Sequence, residues 1–261
     1  MARPPHPEWT PLLEELERRR EVAMASGGPE RVAREHRYNR STARERILKL
    51  VDAGSFLEVG TFVTTPTKDG ALLASTFVCG LAEIDGRSIA IGAEDFSVEG
   101  GGTGVHLPRY KGGWTGFIED FALGYRIPLV LLINGVGGSV ILQDAVGYPQ
   151  LQAAISTAPM FEIMDKVPVL TAVLGPTAGS SAARAYLSHF SVMTKDNGCM
   201  FAGGPPVVKQ ALGLEIDKFA LGGVDIHVAK SGLIDNQAAD EDDALSMLRQ
   251  VFSYLPDNVG Q

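Results

Sequence analysis

The chain has 261 residues, 45 % hydrophobic and 21 % charged, a length and balance that suit a soluble globular fold without disulfide or metal staples. Its 23 Lys and Arg against 31 Asp and Glu leave a net charge of −8. That removes any general attraction for nucleic acid or an anionic membrane, so a polyanionic ligand must rely on local contacts. Cys79 and Cys199 are far apart in apolar surroundings with no CxxC pair. This excludes a zinc ribbon and predicts two buried thiols in a reducing compartment.

The polar opening Met-Ala-Arg-Pro-Pro-His is no secretory signal, and the longest apolar run, residues 127–133, is too short to span a bilayer. Cytoplasm is the expected location. Residues 9–26 read as a charged amphipathic helix with Leu12, Leu13 and Leu16 on one side, and Gly27–Pro29 as a break. Thr42-Ala-Arg-Glu45 is a capping box that opens a helix through Ile47, Leu48 and Val51, ending at Gly54. The pattern then turns to period two. Strands are predicted over 56–63, 75–84 and 87–91, with Asp85-Gly86 as a hairpin turn.

After Asp95-Phe96 comes Glu99-Gly-Gly-Gly-Thr-Gly104, a loop able to wrap closely around a ligand. Strand, glycine turn and helix then alternate. A strand over 128–134 leads through Gly135-Val-Gly-Gly138 to a helix ending near Thr157. A strand over 167–174 leads through Gly175-Pro-Thr-Ala-Gly179 to a helix ending near Leu187. Short strands over 191–194 and 199–201, a helix over 205–212 and a final amphipathic helix over 240–254 complete the series. Such alternation predicts parallel βαβ units.

The informative features are the two glycine turns. Each joins a strand's carboxyl end to a helix start, where backbone N–H groups lack intrahelical partners and meet the positive end of the helix dipole. Two such turns converging would form an oxyanion hole. Singly, each is also ordinary turn chemistry. No dinucleotide fingerprint, P-loop or G-x-S-x-G nucleophile elbow occurs. The histidines His6, His36, His106, His189 and His227 show no metal spacing, so each reads as structural and no bound metal is expected. Asp240-Glu-Asp-Asp243 reads as the acidic first turn of the last helix.

Several stretches together resemble the amino-terminal half of the carboxyltransferase subunits of acyl-CoA carboxylases, of the propionyl-CoA and methylcrotonyl-CoA carboxylase type. They are Thr42-Ala-Arg-Glu-Arg-Ile47, Asp52-Ala-Gly-Ser-Phe-Leu-Glu58, Asp95-Phe-Ser-Val-Glu-Gly-Gly101 and Gly175-Pro-Thr-Ala-Gly179. Phe201-Ala-Gly-Gly-Pro-Pro-Val-Val-Lys209, Leu221-Gly-Gly223 with His227 and Ser231-Gly232, and Asp243-Ala-Leu245 before Tyr254-Leu-Pro256 continue the series. The family's first turn usually reads Asp-Ser-Gly-Gly-Ala-Arg. Here Gly137-Gly138 is kept, while the neighbouring acid and Arg are absent. Its second turn usually carries paired glycines, the second of which is Ser180 here.

The resemblance implies an α/β crotonase (ClpP-like) superhelix of repeated ββα units. A helical extension over 1–40 would precede a carboxyltransferase unit over 41–261. It implies carboxyl transfer from carboxybiotin to the alpha carbon of an acyl-CoA, with Gly137, Gly138, Gly179 and Ser180 donating N–H groups to the enolate oxygen and decarboxylated biotin as base. Expected partners are a second crotonase-like subunit supplying the biotin-binding half, a biotin carboxylase and a biotin carrier protein, in a trimer or heterohexamer. On this reading the chain does not catalyse transfer alone. A biotin-independent acyl-CoA decarboxylase or other crotonase-type lyase, and a non-catalytic scaffold subunit, stay open. The basic segment Arg40, Arg44, Arg46 and Lys49 is a candidate for CoA phosphate contacts, with a solvated helix face as the alternative.

Overall fold

The computed structural model describes residues 7–63, 65–66, 72–101, 117–137 and 158–261. Helix α1 (Thr10–Met24) carries i,i+3 and i,i+4 ion pairs, Arg18 and Arg19 to Glu15 and Arg20 to Glu17. Ser26 and Gly28 then take positive φ, 50° and 88°, and the chain enters a second helix, α2 (Pro29–Arg37). The sequence reading treated Gly27–Pro29 only as a break. Pro29 in fact occupies a first-turn position, where its missing N–H costs nothing. Helix α3 (Ala43–Leu50) starts at the predicted capping box: Glu45 N–H donates to Thr42 Oγ1 at 3.4 Å and Thr42 N–H to Glu45 Oε2 at 2.7 Å.

Strands β1 (Leu57–Val59), β2 (Thr65–Pro66), β3 (Leu72–Leu73), β4 (Phe77–Ile84) and β5 (Arg87–Glu94) follow. Asp85 and Gly86, at φ 52° and 73°, make the tight β4–β5 turn. Next come α4 (Phe117–Tyr125), β6 (Leu129–Ile133), α5 (Ala158–Ile163), β7 (Val169–Val173), β8 (Pro176–Ala178) and α6 (Ser180–Tyr186). The chain continues through β9 (Phe190–Thr194), β10 (Cys199–Phe201), α7 (Pro205–Leu212), α8 (Lys218–Gly222), α9 (Val224–His227), β11 (Asn236–Ala238) and α10 (Glu241–Tyr254). The predicted helix after Gly138 falls on 138–157, outside the described residues.

Among the described residues seven strands form one sheet in the order β1-β4-β5-β6-β7-β9-β11. It is antiparallel from β1 to β5 and parallel from β5 to β11. Strands β8 and β10 pair in parallel as a second small sheet. The segments β7–β8–α6 and β9–β10–α7 are therefore two ββα units, each with its first strand in the large sheet and its second in the small one.

Strand β6 is apolar at every position because both faces are covered. Val130 and Leu132 pack with Ile47, Leu50, Leu245, Leu248 and Phe252 from α3 and α10. Leu129, Leu131 and Ile133 pack with Ile118, Ala122, Met160 and Ile163 from α4 and α5. Each such fully buried aliphatic side chain contributes roughly 1.5–3 kcal/mol. The carboxyl ends of β5, β6 and β7 are thus held side by side between two helical layers.

Candidate active site at the strand ends

Three turns leave these strand ends and lock into one another. Val136 N–H donates to Gly100 O at 3.0 Å, Leu174 N–H to Ile133 O at 2.9 Å, and Ala178 N–H to Gly135 O at 2.8 Å. The contacts are too close for side chains. A Cβ on Gly101 would lie 2.4 Å from Asn134 O, one on Gly135 2.4 Å from Gly101 O, and one on Gly137 2.6 Å from Ala178 O. Gly137 also sits at φ +72° and Gly179 at φ +62°, a region that L residues rarely adopt. The two glycine turns read from the sequence do meet: a Cβ on Gly179 would be 3.8 Å from the Gly137 Cα.

The four expected N–H donors fare differently. Gly138 lies outside the described residues. No hydrogen bond of the Gly137 N–H is found among the described residues. The Gly179 N–H donates to Phe201 O at 3.2 Å, so this residue shapes the turn while its N–H is engaged elsewhere. Ser180 opens α6, with Gly179 as its N-cap.

Beneath the turns lies a polar centre that the sequence reading missed. Glu94, the last residue of β5, is fully buried. Its Oε2 accepts the Asn134 N–H at 2.9 Å and its Oε1 accepts the Ser181 hydroxyl at 2.6 Å. Burial pushes the Glu94 pKa up to about 7, against the opposing pull of Ser181, Arg184, the Asn134 N–H and Arg46. Arg46, also fully buried, donates from Nε and Nη2 to Glu241 Oε1 at 3.1 and 2.5 Å. With its amide oxygen turned toward Arg46, Asn134 accepts from Nη2 at 3.1 Å and donates to Pro176 O at 3.2 Å. A signal was available: Glu94 follows Ile89–Ala93 directly, and an acid closing an apolar strand needs a buried partner.

Other polar side chains brace the surroundings. Arg184 of α6 pairs with buried Glu119 of α4 and lies over the Phe77 ring at 5.1 Å. Asp95 Oδ1 accepts the Ser97 N–H at 3.0 Å, and Ser97 Oγ accepts the Gly27 N–H at 3.0 Å. This docks the helical extension against the turn after β5.

The basic segment proposed for CoA phosphates is engaged by carboxylates. Arg40 pairs with Glu35 and is held between the Tyr38 and Phe96 rings. Arg44 pairs with Glu58, Arg46 with Glu241 and Lys49 with Asp242. Helical spacing alone could not reveal partners up to about two hundred residues away. The histidines within the described residues are satisfied by neighbours: His36 by Glu45, His189 by the Val169 N–H and Met164 O, His227 by Met200 O. Both thiols are buried, which pushes Cys79 up to about 12 and Cys199 to about 11. Among the described residues no group of His, Cys, Asp and Glu is placed to hold a metal, and no helix is long and apolar enough to cross a membrane.

Residues 34–261 match the family described as "Carboxyl transferase domain". The chain is 31 % identical over 258 residues to the Homo sapiens mitochondrial propionyl-CoA carboxylase beta chain, covering 95 % of this chain and 46 % of that one. It is 32 % identical over 256 residues to the Veillonella parvula methylmalonyl-CoA decarboxylase subunit alpha, covering 94 % and 48 %. Among solved structures, transcarboxylase 12S, a hexamer with methylmalonyl-coenzyme A and methylmalonic acid bound, superposes at TM-score 0.80. There the identity is 28 %, over 99 % of this chain and 50 % of that one. The shared architecture is the crotonase-type α/β fold expected from the sequence. The chain spans about half the length of the curated relatives it matches.

Proposed function

The chain belongs to the carboxyl transferase domain family, and from that premise we propose that it is the acyl-CoA-binding component of a carboxyltransferase. The observation that carries the reading is the meeting of the Gly137 and Gly179 turns at the ends of β6 and β7. An acyl-CoA that gains or loses a carboxyl group at its alpha carbon passes through an enolate, with charge on the thioester oxygen. Fixed backbone dipoles aimed at that oxygen stabilise it more than they stabilise the neutral thioester. The donors in this reading are the Gly137-Gly138 turn and the start of α6 at Ser180, with Gly179 setting the bend between them. Residues 1–40 serve as a helical extension and 41–261 as the acyl-CoA unit.

Biotin, carried on a partner protein, would supply the carboxyl group. No described residue is assigned to it, so the chain's own part is to bind the acyl-CoA and hold the enolate oxygen. The partners in this reading are a second crotonase-like half, a biotin carboxylase and a biotin carrier protein, in a trimeric or hexameric core. The 32 % identity to a decarboxylase subunit favours one second reading, in which the same hole serves loss of the carboxyl group.

Native mass spectrometry of the complex purified from its source, followed by turnover of malonyl-CoA and methylmalonyl-CoA, tests both. A biotinylated partner together with turnover supports the carboxyltransferase. Decarboxylation without biotin supports the second reading. A stable assembly that binds no acyl-CoA overturns both and leaves a scaffold.

A further inference from the structure

We propose that Glu94 is a positioning residue for the reaction: its single carboxyl group ties the two glycine turns together and so sets the distance between their backbone donors. The inference rests on the oxyanion-hole reading above. Glu94 Oε2 holds the Asn134 N–H, three residues before Gly137, and Oε1 holds the Ser181 hydroxyl, one residue after Ser180. The turns also share the Ala178–Gly135 backbone bond, but that tie lies upstream of Gly179. Glu94 adds the tie downstream of it, on the helix whose first residue is the candidate donor.

Glu94 does not touch substrate in this arrangement. It is fully buried, both its oxygens are engaged, and a Cβ on Gly135 would lie only 2.7 Å from Oε2. The residue is itself held in place: Arg46 of α3 donates from Nη1 to the Glu94 backbone carbonyl at 3.4 Å, and Gly135 closes over the side chain. A change at Glu94 would therefore reach the thioester only through the N–H groups. It should alter the polarisation of the bound carbonyl and leave the CoA contacts alone.

The chemistry of the two ties predicts which substitution is tolerated. In Glu94→Gln the amide oxygen still accepts the Asn134 N–H, and the amide NH2 donates to Ser181 Oγ, so the bridge persists with one bond reversed. In Glu94→Ala both ties are lost, leaving a buried N–H and a hydroxyl without their acceptor.

The test is the infrared carbonyl stretch of propionyl-CoA, labelled with ¹³C at the thioester carbon and bound to the full chain, with affinity measured alongside by calorimetry. Hydrogen bonds from the hole lower that frequency. The expected result is a lowered stretch in the wild-type chain, retained in Glu94→Gln and lost in Glu94→Ala at unchanged affinity. A stretch equally lowered in Glu94→Ala overturns the role of Glu94 while leaving the hole intact. An unshifted stretch in the wild-type chain overturns the hole, and this inference with it. Should Glu94→Ala fail to fold, Ser181→Ala removes one tie. Partial loss of the shift is then expected, and full retention overturns the proposal.

Discussion

The Ser181 hydroxyl donates to Glu94 Oε1 at 2.6 Å, joining helix α6 to the end of strand β5 across the point where the glycine turns meet. The bond ties a turn geometry to a titratable group buried in the core.

Stability should therefore depend on pH through Glu94. In the unfolded chain its carboxyl ionises near the ordinary 4.5, whereas in the folded chain burial holds the proton up to about 7. Between those values the folded state binds more protons, so stability falls as pH rises through the window, by roughly 3 kcal/mol in all. Glu94→Gln does not ionise. Its stability advantage over wild type should grow from pH 4.5 to 7 and be flat on either side, as read by urea melts. A constant difference would show that Glu94 is not the group responsible.

Gly137→Ala should disable the site. Its methyl would meet Ala178 O at 2.6 Å, and the φ of +72° is strained for any L residue. Displacing one backbone donor costs about 10²-fold in turnover. Ser180→Ala keeps the backbone N–H and should keep most of the activity. Steady-state rates of the assembled complex decide between these outcomes, and a silent Gly137→Ala would reject the backbone chemistry.

The parts of this site that were legible in the sequence are its local ones. Glycine after an apolar strand and before a helix identified Gly137 and Gly179, and Thr42 with Glu45 identified the start of α3. Of the polar centre only Glu94 left a local signal; its assembly with Asn134, Ser181, Arg46 and Glu241 was not legible, because the five come from separate segments with no shared period. The same limit hid the partners of the basic segment. Arg44 looks solvent-facing on a helical wheel, but β1 brings Glu58 to it. Helix α2 was hidden for the opposite reason: Gly27–Pro29 reads as a break, and Pro29 there also opens the next helix.

Arg46→Met should be strongly destabilising, by about 3–5 kcal/mol, because it leaves the buried Glu241 carboxylate without its charge partner, with only the Ser41 N–H still donating to it. Adding Glu241→Leu should recover most of that loss, since two apolar side chains replace a pair that had to be stripped of water. Denaturant melts of the two single variants and the double variant measure the coupling. Simple additivity would contradict it.

Arg44→Glu should leave acyl-CoA affinity and its salt dependence unchanged, in contrast to what a phosphate-binding role requires. It should lower stability by about 2 kcal/mol or more, because two charge-assisted bonds to Glu58 and one to Ala23 O are lost. Calorimetric titration at two salt concentrations separates the two roles.

The Arg46–Glu241 pair spans 195 residues of chain, and this has a consequence for how the protein is made. A ribosome adding roughly 5–20 residues per second finishes α3 many seconds before it reaches Glu241. Throughout that interval, closing the sheet over α3 would bury the Arg46 guanidinium without the carboxylate that neutralises it. Contacts of such long range are formed late and slow the search for the native state. Final closure of the core is therefore expected only after the helix that neutralises its centre has been made.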